Sequence, residues 1–167
     1  MVEFNRNIWA PWRMEYIHQL NEPEGSCFLC TARDNPQDDD RNFVLVRGKH
    51  SFIILNRFPY SNGHMLIAPN LHSGDLNKID DETMLEMMHF LRDMKHLLSC
   101  AIGAQGFNVG LNLNHCAGAG LPDHLHMHIV PRWMGDTNFM SVLDGVRVIP
   151  EAIDKTYKKL RKCMAGL

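Results

Sequence analysis

The stretch DHLHMHIVPRW, residues 123–133, alternates histidines with apolar side chains, and this alternation constrains the fold more than any other feature. Side chains two residues apart point the same way on a strand, whereas they point in different directions on a helix. Pro122 and Pro131 bracket the run, and neither can donate a hydrogen bond in a central ladder. We therefore predict a strand that is apolar on one face and carries three histidines on the other, namely His124, His126 and His128.

Four further strands and two helices are predicted from the spacing of apolar residues. Short turns, among them Asn62-Gly63, separate the first three of the remaining β-rich runs, and the long helix separates the third from the fourth. These runs are residues 42–47, 51–56, 64–69 and 106–112. A helical period runs from Asp80 to Gly103, and a second helix follows Pro150, which we place near its first turn. The expected fold is α+β, with an antiparallel sheet of about five strands, a long helix between strands three and four, and a C-terminal helix.

Each predicted helix has one apolar face, which we expect to pack on the sheet. On the long helix this face consists of Met84, Met87, Met88, Leu91, Met94, Leu98 and Ile102. On the C-terminal helix it consists of Ile153, Tyr157, Leu160 and Met164.

The composition excludes several classes of protein. At 167 residues, with 45% hydrophobic and 22% charged residues, the chain has the size and composition of one globular domain. A net charge of −2 argues against a nucleic-acid surface, which needs concentrated positive charge, but allows a nucleotide-sized ligand. We find no signal peptide or membrane span, and expect a soluble, cytoplasmic protein. Its five cysteines indicate reduced thiols or a metal site rather than a disulfide framework.

Three roles are compatible with a row of histidines. Metal binding is the first, but three successive positions on one face span roughly 13 Å, so at most two can share an ion. Structural burial is the second, and it requires a separate polar partner for each ring. Catalysis is the third, because one neutral imidazole can attack phosphorus while another assists the leaving group. The small residues of NLNHCAGAGLPD, 112–123, favour catalysis, since they let backbone amides approach phosphate oxygens.

The chain resembles the histidine triad (HIT) family in two motifs. HLHMHIV (124–130) resembles the family's signature, and FIILNRFPYSNGHMLIAP (52–69) resembles its other landmark. Together with the order of strands and helices, the resemblance covers most of residues 41–133. It implies a dimeric α+β protein that binds a nucleotide and cleaves it at the α-phosphate through a covalent nucleotidyl-histidine.

The resemblance also implies roles for individual residues. His126 would be the nucleophile, with His128 at the phosphate and leaving group and His124 orienting His126. Asn56 matches the ribose-binding position, and His64 matches a histidine that lines the site. The phosphates would be held by Asn112, Gly118, Ala119 and Gly120.

Other features distinguish this chain from many family members and indicate a branch of the family. Gly120 or Leu121 stands where many members carry a polar or hydroxyl residue, so backbone amides would replace that side chain at the leaving group. WAPWRMEYI (9–17) and PRWMGDTNF (131–139) resemble the bacterial branch related to diadenosine tetraphosphate phosphorylases and hydrolases, in which orthophosphate can accept the nucleotidyl group. Trp133 would then shape the site; ordinary packing or a dimer contact is the alternative role.

We expect a single HIT domain over residues 1–167, in three parts. An N-terminal arm, residues 1–40, carries the CFLC motif, and the polar stretch NPQDDDR, 35–41, separates it from the rest. The catalytic core spans residues 41–134, and a C-terminal extension with the last helix spans residues 135–167.

The CFLC motif places Cys27 and Cys30 at the spacing of half a tetrahedral zinc site. Packed reduced thiols and a redox pair are the alternatives. Family members with such a pair complete the site with a histidine after the third strand and the first histidine of the triad. Those positions are His72 and His124, so the resemblance implies a structural zinc ion and no organic cofactor.

The leading hypothesis is a nucleotidyl hydrolase or transferase acting on dinucleoside polyphosphates such as diadenosine tetraphosphate, with water or orthophosphate as acceptor. An adenosine phosphoramidase-type hydrolase would use the same intermediate. A non-catalytic nucleotide-binding or zinc-stabilised interaction protein belongs to a different class, but binding alone does not require a nucleophile. A metal-dependent hydrolase with His124 and His126 as ligands is a further alternative.

Overall fold

The computed structural model describes residues 27–136 and 149–166, which leaves the tryptophan-rich stretch 9–17 and part of 131–139 outside the described residues. The strands are β1 (Val44–Arg47), β2 (Ser51–Leu55), β3 (Met65–Pro69), β4 (Gly106–Leu111) and β5 (Met127–Arg132). They form one sheet in the order β1-β2-β3-β5-β4, and every neighbouring pair is antiparallel. The predicted α+β class and five-stranded antiparallel sheet are confirmed.

The helices of the described residues are α1 (Phe28–Asp34), α2 (Asp39–Asn42), α3 (Asp81–Ile102) and α4 (Ile153–Met164). Short 3₁₀ turns lie at Pro36–Asp38, Leu76–Lys78 and His115–Ala117. The long helix α3 has the predicted ends: the Asp80 side chain caps its first turn, and Gly103, at a φ of 65°, ends it. Within the two described ranges, no helix combines the length and apolar character needed to cross a bilayer.

The two faces of the sheet are covered by different helices, because side chains alternate along each strand. One face carries the main core, built with α3 and α4 from residues that include Ile53, Leu55, Met65, Ile67, Leu98, Ile129 and Leu160. The opposite face carries a smaller core, built with α1 from Leu29, Ala32, Val44, Phe52, Ile54, Leu66 and Ala68. His128 of β5 pairs with Leu66 of β3, and therefore lies on the face of the smaller core.

The apolar face of α3 is predicted correctly in its centre but not at its start. Met87, Met94 and Leu98 are buried in the main core, whereas Met84 and Met88 are 38% and 51% exposed. Each of the two exposed methionines directly follows a buried residue, and neighbouring positions point about 100° apart around a helix. The helix therefore buries a narrower stripe than its run of methionines indicates.

The helix α4 buries Tyr157 and Leu160 as predicted, but Pro150 is not in its first turn. The helix begins at Ile153 because the preceding residue, Ala152, has extended backbone angles and is the N-cap.

The strand that carries the histidines is shorter than predicted. β5 begins at Met127, so that His128 belongs to it and the other two histidines lie in the segment before it. Pro69, the last residue of β3, has no N–H with which to continue the ladder. The N–H of Leu125 donates instead to the carbonyl oxygen of Ser73, at 2.8 Å.

Pro131 lies inside β5 and not beyond its end, contrary to the prediction. It pairs with Phe107 of β4, but the pairing of β3 with β5 stops at Ile129. Past Ile129, one side of β5 therefore has no ladder for a proline to interrupt.

The arm is more closely integrated with the sheet than its polar sequence indicates. Residues 35–41, predicted to separate the arm from the rest of the chain, form a 3₁₀ turn and most of α2. Leu29 and Ala32 of α1 are buried in the smaller core. The described part of the arm is therefore a layer of the fold.

Hydrogen bonds tie α4 to the sheet and to the turn before β3. The hydroxyl of Thr156 donates to the side-chain oxygen of Asn62 at 2.8 Å, in the turn that leads into β3. The hydroxyl of Tyr157 lies 2.9 Å from the carbonyl oxygen of Val44 in β1. The C-terminal helix thus supports the turn that precedes His64.

Candidate functional site

Two histidines from neighbouring strands form a hydrogen-bonded pair. Nε2 of His64, the residue before β3, lies 2.9 Å from Nδ1 of His128 in β5. The other ring nitrogen of His64, Nδ1, accepts the backbone N–H of Tyr60 at 3.1 Å. The proton of neutral His64 is therefore on Nε2, which donates to His128. It follows that neutral His128 carries its own proton on Nε2.

His126 has the opposite proton arrangement. Its Nδ1 lies 2.8 Å from the carbonyl oxygen of His124, and a carbonyl can only accept, so Nδ1 carries the proton. Nε2 is left with a free lone pair. The rings of His126 and His128 meet edge to face, with centroids 4.9 Å apart. An imidazole that can attack thus lies next to one that can donate a hydrogen bond.

Burial keeps these imidazoles neutral at neutral pH. His64, His126 and His128 are 1%, 7% and 9% exposed. Burial lowers the pKa of His64 to about 3 and that of His128 to about 4, and the neighbouring histidines act in the same direction. Burial also lowers the pKa of His126, opposed in part by its hydrogen bond to the carbonyl of His124. Neutrality is the state in which a ring nitrogen is nucleophilic.

The two asparagines predicted to contact nucleotide lie beside the histidine pair. The side-chain oxygen of Asn56 accepts the N–H of Phe58 at 2.9 Å, and its nitrogen lies 3.3 Å from Nδ1 of His64. The side-chain nitrogen of Asn112 lies 3.5 Å from Nε2 of His128; because both atoms carry protons in this tautomer, the contact is one of proximity and not a hydrogen bond. Both side chains therefore border the same small region.

The glycine-containing loop has room beside it, but its amides are partly engaged. A Cβ added at Gly118 or Gly120 would meet open space, and Gly118 has a φ of 82°, which favours glycine. The N–H of Gly118 donates to the carbonyl of His115 at 2.9 Å, and that of Ala119 to the carbonyl of Asn114 at 3.4 Å. Two of the amides expected at the phosphates are therefore used within the turn.

The four residues predicted to bind metal converge, with all four ligand atoms within 4.8 Å of one another. Nδ1 of His124 lies 3.2 Å from Sγ of Cys27 and 3.3 Å from Nδ1 of His72, which is 3.3 Å from Sγ of Cys30. A tetrahedron of two sulfur and two nitrogen ligands around zinc has edges of roughly 3.3–3.8 Å. The donor set and its spacing therefore fit a zinc ion.

His124 connects this Cys2His2 cluster to the histidine pair. Its Nε2 lies 2.9 Å from the carbonyl oxygen of Pro69, so Nε2 donates and Nδ1 presents its lone pair to the cluster. Its own carbonyl accepts from His126. Of the three alternating histidines, the structure thus places one in the cluster and two in the neighbouring site.

Tyr60 is a site residue that sequence reasoning missed. Its ring stacks on that of His128, with centroids 5.8 Å apart, and lies 4.7 Å from the ring of His64. The available signal was its position four residues before His64 in FPYSNGHM. An aromatic residue in a turn belongs to no periodic pattern, however, so spacing alone does not identify it.

Trp133 has the contacts of a packing residue. Its ring packs against the main core, and its indole N–H donates to the carbonyl oxygen of Ile102 at 3.3 Å. These contacts favour the packing role for Trp133, with the end of α3 as its partner.

Comparisons with known proteins identify relatives of the chain in sequence and in fold. The HIT domain matches residues 37–134. AP-4-A phosphorylase of Mycobacterium tuberculosis is 34% identical over 160 residues, covering 93% of this chain and 82% of that protein. Adenosine 5'-monophosphoramidase of Saccharomyces cerevisiae is 31% identical over 109 residues, covering 65% and 64%. A Zn-bound histidine triad family protein from Mycobacterium smegmatis has a TM-score of 0.68 at 25% identity, covering 84% and 94%.

The antiparallel sheet and its helices superpose on the solved structure of this histidine triad family protein, so the two proteins share a fold. The HIT domain covers more than half of the chain, and the mycobacterial relative matches most of it. The chain belongs to the HIT domain family.

The proton positions in the site lead to a spectroscopic prediction. At neutral pH we expect His126 to be protonated on Nδ1, and His64 and His128 on Nε2. His128 should stay neutral down to about pH 5, because burial lowers its pKa to about 4. Long-range ¹H–¹⁵N correlation spectra of the labelled protein distinguish the tautomers, and His126→Asn assigns one set of signals. A proton on Nε2 of His126 would contradict the arrangement.

Proposed function

We propose that the protein is a nucleotidyl hydrolase or transferase that cleaves dinucleoside polyphosphates, such as diadenosine tetraphosphate, at the α-phosphate. The reaction passes through a covalent nucleotidyl-His126. The observation that carries this proposal is the hydrogen-bond geometry of the two rings, from which we infer a free Nε2 lone pair on His126 and an Nε2–H on His128. Together they supply a nucleophile and a hydrogen-bond donor within one water-poor site.

In the first step, Nε2 of His126 attacks the α-phosphorus, and the bond from phosphorus to the bridging oxygen breaks. The polyphosphate leaves with the electron pair of that bond. Positive charge develops on the imidazole of His126, and the hydrogen bond from Nδ1 to the carbonyl of His124 becomes stronger as it does so.

His128 donates a hydrogen bond to a phosphate oxygen or to the leaving oxygen, and keeps its proton. A neutral imidazole has a single N–H, and losing it would leave an anion beside the phosphates. The polyphosphate is itself a good leaving group, so stabilisation by a hydrogen bond suffices. His64 keeps His128 in this tautomer, because the Nε2–H of His64 donates a hydrogen bond to Nδ1 of His128.

In the second step, water or orthophosphate attacks the phosphorus from the side that the polyphosphate has left. The phosphorus–nitrogen bond breaks, and its electron pair returns to Nε2 of His126. Any proton that the acceptor loses passes to solvent, so the site returns to its starting tautomers.

The nucleotide contacts that we propose are those implied by the family resemblance, and the positions of these residues around the histidines are consistent with them. Asn56 binds the ribose hydroxyls, and its orientation is held by the N–H of Phe58. Asn112 and the loop Gly118, Ala119 and Gly120 lie toward the phosphates. Tyr60 covers one side of the His64–His128 pair and limits the access of water to it.

The relatives support this substrate class. The mycobacterial relative is named as an AP-4-A phosphorylase, and it aligns with 93% of this chain. The yeast relative is named as an adenosine 5'-monophosphoramidase, which favours a second candidate, hydrolysis of a phosphorus–nitrogen bond to AMP. Both candidates use the same attack by His126 and differ in the leaving group.

We also propose that zinc occupies the cluster of Cys27, Cys30, His72 and His124 as a structural ion. When bound, zinc would join α1, the segment after β3 and the segment before β5. The Zn-bound relative from Mycobacterium smegmatis is consistent with this proposal. The ion would hold the peptide of His124 in place, and so the proton acceptor of His126.

A homodimer and a cytoplasmic location, both expected from the sequence, stay proposals. In the described residues β4 is an end strand of the sheet, and its Val109 is 46% exposed. An end strand offers unpaired backbone groups, and an antiparallel strand can pair with its own copy across a two-fold axis. We therefore assign β4 to the contact with a second copy of the chain.

Removing the nucleophile should abolish chemistry but not binding. We expect His126→Asn to lower turnover of diadenosine tetraphosphate at least about 1,000-fold, as loss of a covalent nucleophile does, while AMP still binds. Labelled nucleotide trapped on the wild-type protein should be acid-labile and base-stable, and absent from His126→Asn.

The matched control is His89→Asn, which changes an exposed histidine of α3 in the same way. It should leave turnover and labelling unchanged. Turnover that survives in His126→Asn, or label found on another residue, would refute the mechanism.

The identity of the products tests the position of attack and the acceptor. With orthophosphate, diadenosine tetraphosphate should yield ADP and ATP, because phosphate takes the AMP unit from His126. Without orthophosphate, water should give AMP and ATP. Chromatography of the nucleotides distinguishes these pairs. Two molecules of ADP formed without orthophosphate would mean attack at a β-phosphorus, and would overturn the proposal.

Zinc content tests the proposed structural ion. Protein purified without chelators should contain about one equivalent of zinc by elemental analysis. Cys27→Ser with Cys30→Ser should lose the metal and melt at lower temperature, whereas Cys116→Ser, the control for an exposed thiol outside the cluster, should keep both. Less than about a tenth of an equivalent in the wild-type protein would exclude a resident zinc ion.

A further inference from the structure

A second pair of thiols lies on the opposite side of the molecule from the Cys2His2 cluster. Cys100 is in the last turns of α3, Cys163 is near the end of α4, and their sulfur atoms are 3.3 Å apart. Neither residue takes part in the site or the cluster. We propose that this pair is a modification site, in which a hydroperoxide converts the two thiols into an intrachain disulfide that fastens α4 to α3.

The distance and accessibility of the thiols are suitable for this reaction. A disulfide bond is about 2.05 Å long, so the sulfurs need to approach by little more than an ångström, which side-chain rotation can supply. Cys100 is exposed and Cys163 is partly exposed, so a small peroxide can reach them.

The helices hold the thiols at this distance independently of the sulfur contact. Leu160, one turn before Cys163, is completely buried in the main core. Leu97 and Leu98 of α3 are buried in the same core. The two thiols are therefore presented by rigid, packed elements, and their encounter does not depend on a mobile loop.

The hydrogen bond between the thiols assigns a different role to each. Cys163 donates its S–H to the sulfur of Cys100, and this bond raises the pKa of Cys163. Cys100 is the more exposed of the two sulfurs, and it accepts the hydrogen bond, so we assign the first reaction with peroxide to Cys100.

The chemistry balances with the hydroperoxide as oxidant. The thiolate of Cys100 attacks the terminal peroxide oxygen, the O–O bond breaks, and the product is a sulfenic acid plus an alcohol, or water when the oxidant is hydrogen peroxide. The sulfur of Cys163 then attacks the sulfenic sulfur. The S–O bond of the sulfenic acid breaks, the S–S bond forms, and one molecule of water is released. In total the two thiols lose two electrons and two protons, and the peroxide is reduced by two electrons.

The disulfide would stabilise the part of the fold that supports the site. It closes a loop between residues that are 63 positions apart, and so restricts the unfolded chain. It also prevents α4 from separating from α3. Because Thr156 of α4 holds Asn62, the turn that leads to His64 would be retained under conditions that otherwise loosen the C-terminal helix.

The test uses the full-length, zinc-loaded protein, reduced and then treated with a small molar excess of hydrogen peroxide. Peptide mapping without reductant should show the Cys100 peptide joined to the Cys163 peptide within one chain. The melting temperature should rise by about 5 °C or more, and fall back after addition of a reductant. Cys116→Ser should show the same gain, whereas Cys100→Ser and Cys163→Ser should show none.

Trapping with dimedone tests the order of the two steps. In Cys163→Ser the sulfenic acid should accumulate on Cys100 and be labelled, while Cys100→Ser should give no label on Cys163. Label on Cys163 in Cys100→Ser, with none on Cys100 in Cys163→Ser, would overturn the assigned roles. Over-oxidation of Cys100 without a cross-link, a bond between chains, or a disulfide only between Cys27 and Cys30 would overturn the proposed site.

Discussion

His124 links the smaller core, the end of the sheet and the histidine site through one imidazole and one carbonyl. Its Nε2–H donates to the carbonyl of Pro69, where β3 ends. Its Nδ1 faces the two cysteines, and its carbonyl sets the proton position of His126. A shift of this residue would therefore move the proposed metal site and the proposed nucleophile together. This coupling connects the described part of the N-terminal arm to the geometry of the site through His124.

Desolvation is the second constraint on the site. An imidazole that charges at neutral pH has no lone pair to offer, and burial among other imidazoles prevents that charging. The hydrogen bonds then decide which nitrogen of each neutral ring carries the proton. In His64 and His128 these hydrogen bonds act in series. The backbone N–H of Tyr60 determines the tautomer of His64, and His64 in turn determines the tautomer of His128. A main-chain group in a turn thus sets the chemistry of a side chain on a strand.

Much of the fold was predictable because apolar spacing and capping residues act locally. The alternation around the histidines indicated their strand, and Asp80 and Gly103 marked the ends of α3. The start of β5 was not predictable, because it depends on Pro69, more than fifty positions away in the chain. The narrow buried stripe of α3 was missed for a related reason, since the width of a stripe is set by what it packs against. Periodicity contains no information about these partners.

The candidate site shows the same division between local and long-range information. The histidines and the paired cysteines have diagnostic spacings, and the family resemblance supplied His72 as a partner. The stacking of Tyr60 on His128, and the hydrogen bond by which His64 sets the tautomer of His128, arise only when β3 and β5 lie side by side. Sequence patterns indicated which residues to consider, whereas the tautomers required the three-dimensional structure.

The strand order has a consequence for how the protein becomes active during folding. β5 lies between β3 and β4, so it must insert beside a strand that was synthesised far earlier, as the pairing of Met65 with Ile129 shows. Long-range pairing of this kind is slow, because the chain loses the entropy of loop closure before the stabilising contacts form. The first three strands can form successive hairpins without it. The chain therefore forms most of its sheet before it forms the complete histidine site. A partly folded molecule would already contain His64 in place, but it would still lack His128, to which His64 donates its hydrogen bond.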